Sequence, residues 1–67
     1  MTNTSAIAFQ QQAAKDASIA RSFMDTAKAQ LASGKFVVSV NSLKTAAIYQ
    51  QKSAASYEKA RKALDDH

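Results

Sequence analysis

Proline is absent from this chain, and glycine occurs once, at Gly34, near the middle of 67 residues. Proline removes a backbone donor and glycine adds unfolded-state entropy, so these two residues are the main breakers of helices. Alanine, the best helix former, recurs along the whole length. The pattern favours two long helices that meet at Gly34. Hydrophobic residues make up 46% of the chain, too many for a solvated coil.

The first segment carries an apolar stripe at Ala6, Phe9, Ala13, Ala17, Ala20, Met24, Ala27 and Leu31. Its steps alternate between three and four residues, as one face of an α-helix requires. Ile19 and Phe23 widen one edge, and Lys15, Arg21, Asp25 and Lys28 fall on other faces. Thr4 or Ser5 supplies a hydroxyl to cap the helix start. Arg21 and Asp25 are spaced to pair, worth about 0.3 kcal/mol. The stripe stops at Ser33-Gly34-Lys35, where glycine adopts the left-handed conformation that ends helices without steric cost.

The second segment carries a stripe at Phe36, Val40, Leu43, Ala47, Ala54, Tyr57 and Leu64, interrupted by Gln50 and Arg61. Lys44, Lys52, Lys59 and Lys62 lie mostly outside it, and Glu58 is spaced to pair with Lys62. The reading is a single all-α domain over residues 1–67: a helix over about 5–33, a turn at 33–35 and a helix over about 36–65. Each helix would be roughly 45 Å long. The architecture is an antiparallel two-helix hairpin, with the two stripes facing inward. The polar run Gln50-Gln51-Lys52-Ser53 leaves open a break near residue 50, which would give a three-helix bundle.

A chain of this length lies near the lower limit for a single self-sufficient core. It has no cysteine, so disulfides and thiolate metal sites are excluded. Self-association or a partner is the remaining support. Residues 36–49 point the same way, because they are apolar on more than one face, which one neighbouring helix cannot cover. Val37 and Ile48 lie to one side of the stripe, and Val38 and Tyr49 nearly opposite it. These four residues, Val37, Val38, Ile48 and Tyr49, are the candidate partner-binding set.

Residues 23–48 resemble a tetratricopeptide-type helix pair through Phe23, Ala27, Gly34, Phe36, Leu43 and Ala46. The segment departs from that family at Ser39, where alanine is usual, and in lacking the closing proline. It covers under half the chain, without a second repeat, and a lone repeat is not stable. The stretch Ser56-Tyr57-Glu58-Lys59-Ala60-Arg61-Lys62-Ala63-Leu64 is similar to the third helix of the microtubule-interacting-and-trafficking domain, a three-helix bundle. That resemblance implies a groove between helices that binds a partner helix. Both families bind proteins.

No converging set of polar groups marks a catalytic pocket. The single histidine, His67, is the last residue, and Asp65-Asp66-His67 is too local to preorganise a metal site. Asp16, Asp25 and Glu58 are spread along the chain and read as solvated charges. No catalytic residue, metal, cofactor or small-molecule substrate is expected. The N-terminus lacks a basic targeting region, and no stretch reaches the ~20 apolar residues of a membrane span, so a cytoplasmic location is expected. The net charge is +4, a field that favours acidic partners.

The functional expectation is a non-enzymatic protein–protein interaction module: an adaptor, inhibitor or assembly subunit, binding a protein partner or itself as a homodimer. The alternative is a dimeric, basic nucleic-acid-binding regulator using Lys52, Lys59, Arg61 and Lys62.

Overall fold

The computed structural model describes residues 3–65 as two antiparallel helices, α1 (Thr4–Ala32) and α2 (Phe36–Asp65). No strand occurs among the described residues. The hairpin is a thin slab, 52 × 13 × 9 Å by its Cα atoms.

The turn forms where the sequence places it. Gly34 has φ +76°, the left-handed region. Its N–H donates to Leu31 O (3.0 Å), and the Lys35 N–H reaches back to Gln30 O (2.9 Å). These two bonds satisfy carbonyls that the end of α1 leaves unpaired. Lys35 O then accepts from the Ser39 N–H (3.0 Å), the first bond of α2.

At the other end, the helix cap is Asn3 rather than Thr4 or Ser5, because α1 already includes Thr4. Asn3 Oδ1 accepts the Ala6 N–H (3.0 Å), and its Nδ2 donates across the hairpin to Ala63 O (2.7 Å). One side chain thus closes the open end of the molecule.

α2 does not break at the polar run, so there is no third helix among the described residues. Gln50, Gln51 and Lys52 are exposed on good helix-forming positions, and Ser53 turns inward. The stretch 56–64 is the last third of α2.

The seam between the helices is built from small residues at seven-residue intervals. On α1 the row is Ala6, Ala13, Ala20 and Ala27; on α2 it is Ser39, Ala46, Ser53 and Ala60. All eight are buried. Ser39 Oγ donates to Ala27 O (3.2 Å) and Ser53 Oγ to Ala13 O (2.8 Å). A serine hydroxyl is short, so such bonds require the two backbones to lie close together. The same register sets Ala20 opposite Ala46 and Ala6 opposite Ala60. Alanine–alanine and alanine–serine layers therefore alternate along the seam.

This register overturns part of the sequence reading. The α1 stripe faces inward through its alanines, but the α2 stripe faces out. Phe36 is 64% exposed, and Val40, Leu43, Tyr57 and Leu64 are about half exposed. Leu31, at the end of the α1 stripe, is exposed as well. The inner row of α2 lies one position before Val40, Ala47 and Ala54, a rotation of about 100°. Large residues on the seam would hold the alanine rows apart and break both serine bonds. Among the described residues, no large side chain is fully buried.

Three smaller corrections concern charged residues. Asp16 is not a solvated charge; it points at α2 and is buried, with Gln12 Nε2 donating to its carboxyl at 3.2 Å. Glu58 pairs with Arg61 (2.9 Å), three residues on, rather than with Lys62. The Arg21–Asp25 pair is not formed: Arg61–Glu58 is the one ion pair among the described residues.

Candidate docking face

The two flanks of the seam differ in chemistry. On one flank the seven-residue spacing continues through Phe36, Leu43, Gln50, Tyr57 and Leu64, with Val40, Ala47 and Ala54 beside it. All eight side chains are exposed. α1 adds Met24 and Leu31 at the same spacing, and Gln50 Nε2 reaches Met24 Sδ across the hairpin at 3.7 Å. The result is one broad apolar face, richest near the turn. Its end merges with a shallow concavity lined by Gly34, Lys35, Phe36, Val37 and Val38.

The opposite flank is aromatic and cationic. Phe23 stacks on Tyr49, with centroids 5.9 Å apart and planes at 11°. Lys52 Nζ sits 4.9 Å from the Tyr49 centroid, and Lys59 Nζ 5.9 Å from that of Phe9. A cation over an aromatic face gains about 0.5–1 kcal/mol at exposed sites. Ser42 Oγ also donates to Gln30 Oε1 (2.7 Å) on this side. The flank is thus tied up by contacts within the hairpin.

The four residues singled out for partner binding do not share a surface. Val37, 75% exposed, borders the apolar face at the turn. Val38 lines the concavity at the turn beside Val37, whereas Ile48 is exposed on a side of α2 away from the face. Tyr49 is half-buried against Phe23 and belongs to the hairpin's own packing. The four basic residues of the nucleic-acid reading are all exposed, but they too are divided. Lys52, Lys59 and Lys62 lie towards one side, whereas Arg61 lies towards the apolar face and engages Glu58. Asp65 ends α2; Asp66 and His67 fall outside the described residues.

The face itself is made of Phe36, Val40, Leu43, Tyr57 and Leu64, residues that the periodicity marks as core. The signal that separates the two rows is the small ladder Ser39, Ala46, Ser53 and Ala60. It matches the α1 alanines in spacing and in size, and a close-packed pair of helices selects like with like.

Among the described residues, no helix is long and apolar enough to cross a membrane. No family model, no curated protein and no solved structure matches the chain.

Proposed function

We propose that this hairpin is a non-enzymatic protein–protein interaction module, serving as an adaptor, inhibitor or assembly subunit, that docks through the apolar face of α2. The observation that carries this reading is the division of labour between rows. The helices hold each other through alanine and serine, while Phe36, Leu43, Tyr57 and Leu64 stand exposed at about half or more of their surface. A contiguous apolar patch of this kind marks an interaction surface. Covering it stabilises by roughly 25 cal/mol for each Å² of apolar surface removed from water.

The test compares tagged wild-type chain with Leu43→Asp in nuclease-treated lysate of the source cells. Leu43 is exposed, so the variant retains its helical circular dichroism spectrum. The expected result is a stoichiometric bound protein, another copy or a different chain, that is lost with Leu43→Asp. Equal recovery by both proteins would remove the apolar face from the reading.

A further inference from the structure

We infer that the occupant of the apolar face is a second copy of this chain, bound antiparallel about a two-fold axis at Gln50. The inference rests on the docking reading above and names its partner.

The first argument is the order of residues along the exposed row. Phe36, Leu43, Gln50, Tyr57 and Leu64 are spaced by seven throughout. A strict seven-residue repeat keeps a seam directed at a neighbouring helix over its whole length. The row also reads alike from either end: two large apolar residues, an amide, two large apolar residues. An isologous dimer needs a self-complementary patch, and this row is one. With Gln50 on the axis, Phe36 meets the second copy's Leu64, and Leu43 meets its Tyr57.

Gln50 suits the central position. Its amide nitrogen currently donates to a thioether sulfur, a weak acceptor. A glutamine side chain holds both donors and an acceptor, so two copies meeting on an axis satisfy each other. One polar residue in an otherwise apolar seam fixes register, because any slip buries the amide without a partner.

Charge decides the orientation. Antiparallel helices centred on Gln50 set Lys44 level with the second copy's Ser56, which leaves Glu58, on the same outer edge of the seam, two residues or roughly 3 Å further along. Parallel helices would set Lys44 against Lys44, Glu58 against Glu58 and Arg61 against Arg61. Opposite charges at an edge set partner choice and orientation, and like charges oppose them.

The area is sufficient. The row from Phe36 to Leu64 is roughly 42 Å long at the rise of an α-helix. Across two helices, the face is roughly 20 Å wide and offers on the order of 800 Å² per copy, the size of a standard stable interface.

The chain contains no cysteine, so single cysteines report the geometry cleanly. Sedimentation of the full chain over a wide concentration range is expected to show twice the chain mass, with Leu43→Asp reduced to the single mass. In a mixture of Lys44→Cys and Glu58→Cys chains, a short bis-maleimide is expected to join one to the other in preference to like chains. Preferential Lys44→Cys homodimers would overturn the antiparallel arrangement. A dimer that Leu43→Asp leaves intact would overturn the interface. A wild-type chain that stays monomeric would overturn the second copy as occupant. In that case the docking reading still stands if Leu43→Asp loses a bound protein from lysate, so the two failures are distinguishable. Leu43→Gln, which adds no charge, repeats each measurement should the aspartate variant lose its helical spectrum.

Discussion

Ser53 and Ala20 show how little room the seam allows. Ser53 is buried and its hydroxyl is spent on Ala13 O. Ser53→Ala keeps the size and loses the bond, so a loss of about 1 kcal/mol is expected in thermal unfolding. Ala20 is 1% exposed. Ala20→Leu inserts three carbons where two backbones nearly touch, and a loss of at least 1–3 kcal/mol is expected. The same bulk added at exposed Ala55, outside both the seam and the apolar face, should change stability by under about 0.5 kcal/mol. Equal losses at Ala20 and Ala55 would mean that the seam is not where the serine bonds place it. Gly34 is limited by backbone geometry alone. A Cβ there would meet nothing within 4 Å, so crowding plays no part. The cost of Gly34→Ala is the left-handed φ, about 1–2 kcal/mol, and Gly34→Asn should cost less because asparagine tolerates that region. Chemical denaturation of both variants checks the order; an alanine variant as stable as the parent would contradict the turn geometry.

At the scale of elements, the helices and their turn were legible because proline is absent and glycine is single. The rotation of α2 about its own axis was not. Its sequence holds two stripes one residue apart, Ser39-Ala46-Ser53-Ala60 and Phe36-Val40-Leu43-Ala47, and both satisfy helical periodicity. Counting hydrophobicity selects the larger residues. Only pairing with an alanine row on α1 selects the smaller ones, because contact is limited by backbone approach rather than by side-chain volume. Buried Asp16 was missed for another reason: it lies three residues after Ala13 and four before Ala20, on the inward face that the stripe marks, but its charge reads as a solvated group. The cap was misplaced by one or two residues, as helix boundaries commonly are. Asn3 makes that end testable, since its two bonds separate by substitution. Asn3→Asp keeps the acceptor for the Ala6 N–H and loses the donor to Ala63 O. Asn3→Ala loses both. The alanine variant should lose about 0.5–2 kcal/mol and the aspartate variant less, since a carboxylate is itself a good cap. Thermal unfolding of the pair checks this, and equal losses in the two variants would show that the bond to Ala63 dominates.

For the molecule as a whole, the choice of small residues for the seam has a thermodynamic consequence. Alanine and serine remove little apolar surface from water, and the residues that would remove most are outside. On the proposed docking, folding of the hairpin is coupled to covering its apolar face. A species that binds only the folded chain raises apparent stability by mass action, and when that species is a second copy the unfolding temperature depends on protein concentration. The wild-type chain should therefore melt at progressively higher temperature as its concentration rises, by several degrees across the accessible range. Leu43→Asp should melt at one temperature throughout, below that of the concentrated wild type. The two curves should converge as the wild type is diluted towards its monomer. A wild-type transition that ignores concentration would mean that the small-residue seam holds the hairpin unaided, and that the large residues of α2 are kept for a different chain.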